Sequence, residues 1–500
     1  MKQFKKLSLL AAVAVLVAAC SVGSFEFYPA SYEAAPELLP PEESEPGDTF
    51  DGIVENGFVK VSEQPVSTFS IDADGASWAY ARRCISNSNW PSMNAIRVEE
   101  FLNYFTFNYP SPSGDETLAI NAEISECPWN TEHKLLRLGL KGKDVTDSEM
   151  PPANFIFLID TSGSMYGEDR IDLLKSGLCN MVDQLRPDDR VAIITYSGKV
   201  SMALESTLAI NSERIKKVIR GLVASGSTAG GEAMKMAYEE AAEHYVKGGN
   251  NRIIMCTDGD FNVGVSSTEA LVEMVESYLD KGIYLSIMGF GTGNYQDSRM
   301  ENLSNHGNGT YTYIDCEDEM MKVFVHERSR FLSVANDTKC QIRFFDYVDS
   351  YRLIGYENRV MSTEDFENDK KDAGEIGAGQ TITALYEIIP SEGNYTQNAT
   401  AASFEVRYKK ELGEESRQLQ MEIGKDYGLV TPSTEFFFAA GLASYAMLLR
   451  DSKYKGNATY ELARSLIERG SGAYVKDPLG LRRQAAELVG KAMKMQKDYN

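Results

Sequence analysis

Four apolar runs separated by amphipathic helices constrain this chain more than any other feature. The runs "NFIFLID", "RVAIITYS", "RIIMCTDG" and "IYLSIMGFG" fall between residues 153 and 330 and are too continuous to face water on one side. Strands of that kind are buried on both faces, as in a parallel sheet covered by helices. Helical spacing lies between them. Ile171, Leu174, Leu178, Met181, Val182 and Leu185 recur at intervals of three and four, and "SSTEALVEMVESYLDKG" opens on capping residues and closes on Gly282. Strands joined by helices of this length imply right-handed βαβ units. The expected fold class is therefore α/β, a doubly wound, mostly parallel sheet over residues 151–332, flanked by β-rich and helical segments.

The rest of the 500-residue chain divides around that unit. Lys2, Lys5 and Lys6 precede an apolar run from Leu9 to Val17 that is too short for a stable membrane span, then small residues ending in Val17-Ala18-Ala19-Cys20. This resembles a bacterial lipobox: a signal peptide over 1–19, cut before Cys20, whose thiol would carry the lipid. An ordinary cleaved signal with an incidental Cys20 is the alternative. Residues 20–52 are rich in proline and acid, with too few large apolar side chains to fold alone, and read as a solvated stalk. Residues 53–150 read as an α+β unit that holds Trp78, Trp90 and Trp129, so intrinsic fluorescence should report on it alone. Residues 333–500 turn β-rich, with "CQIRFFDYV", "ITALYEIIP", "ASFEVRYKK" and "RQLQMEIG", and then helical from about 433. Because β patterns flank the α/β unit on both sides, they are expected to pair into one discontinuous sandwich. The stretch "FFFAAGLASYAMLL" reads as the core of its own helical bundle rather than a partner-docking surface.

Charge and side-chain inventory remove several function classes. With 50 basic against 73 acidic residues the formal charge is −23, and no basic stripe follows the N-terminus, which argues against a nucleic-acid partner. Six cysteines beyond Cys20 are scattered singly with no C-x-x-C pair, which disfavours structural zinc. Cys179 and Cys256 read as core thiols, and no pairing of the others follows from sequence. The four histidines, His133, His244, His306 and His326, are far apart in sequence and read as surface or locally bonded residues rather than ligands. "GSTAGGEA", Gly226 to Ala233, approaches phosphate-loop spacing, but Glu232 stands where the lysine must be and would repel phosphate.

What remains is an oxygen-only constellation. In a doubly wound sheet ligands gather at the carboxyl ends of the strands, where "DTSGS" places Asp160, Ser162 and Ser164. Thr228 stands in a glycine-rich loop before a later helix, and Asp258 ends the strand "RIIMCTDGD". Carboxylates and hydroxyls without histidine or cysteine suit a hard divalent cation: magnesium first, with manganese or calcium as alternatives. Neutral hydroxyls leave such an ion electrophilic, able to recruit an oxygen from outside. The competing reading of Ser164 is a cap for the helix that follows.

D-x-S-x-S, a later loop threonine and a T-D-G strand end together resemble the metal-ion-dependent adhesion site of von Willebrand factor type A domains, over about residues 153–330. All five positions match: Asp160, Ser162, Ser164, Thr228 and Asp258. Beyond that domain, the lipobox, "STFSIDADGASWAYARR" with "AIRVEEFLNYFTFNYP", and "NGTYTYID" followed by a β and helical tail are similar to YfbK-type lipoproteins. The resemblance implies a Rossmann-like domain binding a divalent cation and, through it, a protein partner that supplies a carboxylate or other oxygen. The expected protein is not an enzyme. It is a binding protein of the bacterial cell envelope, held to the membrane through Cys20; Ser21, in place of an aspartate, favours the outer membrane. The alternatives are a metal-dependent hydrolase of the envelope and an assembly scaffold with a vestigial site.

Overall fold

The computed structural model describes residues 50, 52–226, 231–259, 268–279, 281–291, 297–393, 399–426, 431–472, 475 and 477–499. The expected signal peptide, Cys20 and nearly all of the expected stalk lie outside them, as does Thr228. Among the described residues no helix is long and apolar enough to cross a membrane.

The α/β unit is the sheet the apolar runs require. Its strand order is Tyr311–Ile314, Ile283–Phe290, Asn250–Thr257, Ala153–Asp160, Arg190–Tyr196 and Val200–Leu208. All neighbours are parallel except the last pair, an antiparallel hairpin of Arg190–Tyr196 with Val200–Leu208. That edge strand is half exposed, and its broken pattern is not read as a strand from sequence. The central strands Ala153–Asp160 and Asn250–Thr257 are buried along their whole length. Two cores cover the faces. Helix Ile171–Val182 packs with Ser212–Arg220 on one side, and Gly231–Glu243 packs on the other with Ala76, Ala79 and Tyr80 of the helix Ala76–Ser86.

The β segments on either side of this unit in sequence pair with one another. Val66–Ser70 lies antiparallel to Ser333–Phe344, and Asn130–Gly142 lies antiparallel to Thr381–Pro390. The result is two packed antiparallel sheets. One runs Val59–Lys60, Val348–Ile354, Thr381–Pro390, Asn130–Gly142, Leu118–Cys127; the other runs Val360–Met361, Val66–Ser70, Ser333–Phe344, Thr400–Lys409, Arg417–Gly424, with Gly374–Gly377 also on Ser333–Phe344. Side chains alternate as a pleated strand demands. Leu136, Leu138 and Leu140 enter the sandwich core with Phe69, Ile342 and Phe404, while Leu135 and Leu385 face a helical layer.

That layer joins Ala76–Ser86 and Val98–Asn103 to the C-terminal helices Thr434–Leu449, Tyr460–Arg469 and Leu481–Tyr499. The stretch "FFFAAGLASYAMLL" is buried in it. The tryptophans belong to this joint layer rather than to the N-terminal segment alone: Trp78 meets Tyr445 at 6.3 Å, Trp90 meets Tyr460 at 6.4 Å, and the Trp129 indole N–H donates to Glu387. Between the sheet and the layer lies a charge network with no sequence signature. Arg352, 1% exposed, donates to Glu387 at 2.9 Å and stacks over the Tyr454 ring. Glu387 also meets His133 at 2.6 Å, so the buried carboxylate is paired on both oxygens.

All six described cysteines are free thiols. Cys256 is buried as expected, with burial pushing its thiol up, whereas Cys179 is only half-buried.

Candidate metal centre

Ala153–Asp160 connects onward to Arg190–Tyr196 on one side, and Asn250–Thr257 to Ile283–Phe290 on the other. The strand order therefore reverses between Ala153–Asp160 and Asn250–Thr257, and the carboxyl ends of these two strands mark the switch point, the crevice position where open α/β sheets bind ligands. Asp160 ends one of these strands and Asp258 follows the other. Both are buried, Asp160 completely.

The local chain holds Asp160 in place. Its Oδ1 accepts the Ser162 amide at 2.8 Å, and Oδ2 accepts the Thr257 hydroxyl at 3.4 Å. Thr257 Oγ1 in turn accepts the Gly259 amide at 3.2 Å, linking the Asp160 loop to the loop that carries Asp258. Ser162 Oγ and Ser164 Oγ lie 2.9 Å apart. The capping alternative for Ser164 fails: helix Ile171–Val182 has Arg170 at its N-cap and no side-chain cap.

The segment before Thr228 is tied to the same loop. The Gly163 amide donates to Gly226 O at 2.9 Å and the Ser225 amide to Thr161 O at 2.7 Å. Gly226 sits at φ +89°, a conformation that favours glycine. The structure thus brings together Asp160, Ser162, Ser164 and, through Thr257, Asp258; Thr228 follows Gly226 outside the described residues.

Electrostatics single out Asp160. Burial, with the Asp258 charge adding to it, pushes its carboxyl up to about 7 against the pull of hydrogen bonds from Ser162 and Thr257. Such a carboxyl is a group whose charge calls for a cation. Tyr196, at the end of the neighbouring strand, is fully buried, and its phenol is pushed well up by burial and then by the Asp160 charge. Thr257 and Tyr196 are contributors that sequence reasoning missed. Their signal was available, since each occupies the last position of a buried strand beside Asp160.

The histidines lie elsewhere. His244 and His306 follow or close helices leading into Asn250–Thr257 and Tyr311–Ile314, at the opposite sheet edge, His244 lying 3.3 Å from Glu240 and His306 bonded to Glu276; His133 is bonded to Glu387 in the sandwich. Glu232 is exposed in the first turn of Gly231–Glu243.

Comparison with known proteins agrees with this architecture. The von Willebrand factor type A domain model matches residues 154–325, a von Willebrand factor model matches 44–137, and the model for the C-terminal region of "Uncharacterized protein YfbK" matches 329–495. The chain is 36% identical over 460 residues to YfbK of Escherichia coli K12, covering 87% of this chain and 79% of that one. It is 29% identical over 213 residues to "Uncharacterized protein sll0103" of Synechocystis, covering 42% of this chain and 49% of the relative. It is 26% identical over 324 residues to inter-alpha-trypsin inhibitor heavy chain H3 of Mesocricetus auratus, covering 57% of this chain and 36% of the relative. With its α/β sheet inserted in a sandwich whose two halves lie on either side of it in sequence, the chain belongs to the YfbK family of von Willebrand factor type A domain proteins.

Proposed function

We propose that the Asp160 crevice holds a divalent cation, magnesium first, and that the protein uses it to bind a protein partner. Asp160, Ser162, Ser164, Thr228 and Asp258 would hold the ion, the two aspartates directly or through water. The observation that carries this reading is the convergence of two neutral hydroxyls, 2.9 Å apart, beside a fully buried carboxylate at the switch point of the sheet. The donor set fits a hard cation: oxygens throughout, with a carboxyl pushed up by burial and by the Asp258 charge beside it. A magnesium ion bound there supplies a Lewis-acidic coordination position that a partner's carboxylate can fill. The chain's own contribution is to fix the oxygens: the Ser162 amide and Thr257 hydroxyl orient Asp160, and the Gly163–Gly226 bond sets the loop.

The activity proposed is binding, not catalysis. In affinity capture from envelope extracts, wild-type protein should retain a partner that elutes with chelator and that Asp160→Ala fails to retain. A partner held equally by both proteins, chelator or not, would point to the scaffold alternative. Chelator-sensitive turnover of phosphoesters would favour the hydrolase.

The envelope location is part of the same proposal and rests on the Val17-Ala18-Ala19-Cys20 segment, with Ser21 favouring the outer membrane. Cys20→Ala should move the protein from the membrane fraction to the soluble fraction and abolish incorporation of labelled palmitate. Unchanged fractionation and no label in the wild type would refute the anchor.

A further inference from the structure

We propose that Asp337, Asp372 and Glu375 form a second divalent-cation site, suited to calcium, at the junction between the α/β unit and the sandwich. Each offers a carboxylate oxygen, and the three oxygens lie within 4.8 Å of one another. Oxygens on opposite sides of one calcium ion, each at about 2.3–2.6 Å, stand about 4.6–5.2 Å apart, so the cluster is already gathered closely enough to share an ion.

Acidic residues gather on many surfaces without a ligand. Glu375 sets this cluster apart. The residue is 7% exposed, its Oε1 has no hydrogen-bond partner, and its carboxylate feels the charges of Asp372 and Asp337. A buried carboxylate oxygen without a partner is costly, and a cation is the ligand that relieves it. Asp337 reaches the same point from a β-bulge. The register of Ser333–Phe344 shifts between Asn336 and Lys339 against Thr400–Lys409 and between Ala335 and Thr338 against Gly374–Gly377, and Asp337 takes φ +50°. Bulges re-aim side chains out of the ladder. Asp372 is exposed as a residue although its carboxyl is packed among those of the cluster, which leaves a hydrated ion a path inward.

The nearby cations offset the cluster's charge only in part: three carboxylates face one direct ion pair, with the Arg252 charge also felt at Glu375. Lys409 pairs with Asp337 Oδ2 at 2.5 Å and Lys339 Nζ donates to Asn368 O. The Arg252 guanidinium donates to Ser286 Oγ at 2.7 Å and Ser333 Oγ at 3.3 Å and lies over the Tyr284 ring. The Glu276 charge adds to the acidity felt at Asp372. In keeping with this, burial and mutual repulsion push the Asp372 carboxyl up to about 7 and Glu375 well up.

The position suggests the role. Arg252 bonds Ser333 and the Tyr284 hydroxyl donates to Asn336 at 3.4 Å, so the cluster adjoins the strand on which the chain leaves the α/β unit. Arg252 is near the start of Asn250–Thr257, so this site lies at the sheet edge opposite Asp258. A bound ion would fix the seat of the α/β unit on the sandwich, independently of the crevice.

The experiment is calorimetric titration of full-length wild type, Asp160→Ala, Glu375→Gln and the exposed-site variant Asp372→Asn with calcium chloride, alongside thermal unfolding. The proposal expects Asp160→Ala to retain one calcium equivalent and a calcium-dependent rise in Tm. It expects Glu375→Gln and Asp372→Asn to weaken that equivalent roughly tenfold or more. If Asp160→Ala binds no calcium, or if both carboxylate variants match the wild type, the second site is refuted. Should wild type and Asp160→Ala bind calcium alike while both carboxylate variants lose it, the junction site stands and calcium binding at the crevice falls.

Discussion

A chain ending at residue 430 should fail to fold its sandwich, although every strand of both sheets is still present. The removed helices supply Phe436, Phe438, Leu442, Tyr445, Met447, Leu466, Ile467 and Val489, each no more than 3% exposed. At about 1.5–3 kcal/mol for each large apolar side chain buried, their loss is on the order of 12–24 kcal/mol. That matches or exceeds the roughly 5–15 kcal/mol by which a whole domain is stable. Their partners would be stripped too: Phe105 packs edge-on against Phe438 at 5.0 Å, and the buried pair Arg482–Glu435 closes over Phe107 and Phe438. The measurement is tryptophan emission with near-ultraviolet circular dichroism. Emission should move to the red and the near-ultraviolet signal collapse. A truncated chain that keeps the wild-type emission maximum and a cooperative unfolding transition would contradict the layered account.

In the absence of divalent ions, the wild type should lose stability relative to Asp160→Asn as pH rises from about 4 to about 7. The Asp160 carboxyl is raised from 3.8 to about 7 in the fold by burial, so the folded state prefers its neutral form. A group raised on folding contributes stability that is complete below its unfolded pKa and is lost as pH climbs through the folded one. About three pKa units correspond to about 4 kcal/mol. Asn keeps the acceptor for the Ser162 amide and carries no charge at any pH. The comparison with Asp160→Asn also cancels Glu99 and Asp372, pushed up to about 8 and about 7 by burial, which titrate nearby. Saturating magnesium should restore the wild type and leave the variant unmoved. Thermal unfolding at pH 5 and pH 7.5, with and without magnesium, measures this; a Tm gap independent of both pH and magnesium would count against it.

The parts of the molecule legible in sequence are those where one physical constraint dominates. Ala153–Asp160 and Asn250–Thr257 are buried on both faces, so their second halves, Phe155 to Ile159 and Ile253 to Cys256, are uniformly apolar up to the strand end, and the change to Asp-x-Ser-x-Ser marks that place on the first. Strands sharing their faces between different environments were harder. Val66–Ser70, "VSTFS", is wholly buried yet reads as polar, because Ser67 accepts the Tyr386 hydroxyl at 2.9 Å and the ladder satisfies the backbone. Val348–Ile354 places Arg352 among apolar neighbours, and only the distant Glu387 explains it. The same holds for the Glu123–Arg137 pair, 3.2 Å apart across two adjacent strands. Tertiary pairing of charges has no local period, so a single sequence displays the charges without their partners.

The most direct test of the central claim is titration of purified protein with magnesium chloride by calorimetry at neutral pH, wild type against Asp160→Ala, with circular dichroism of both. The account predicts a saturable exchange of heat for the wild type that vanishes in Asp160→Ala, with the far-ultraviolet spectrum unchanged. A wild-type protein that takes up neither magnesium nor manganese, or an Asp160→Ala variant that binds as tightly as the wild type, would contradict it.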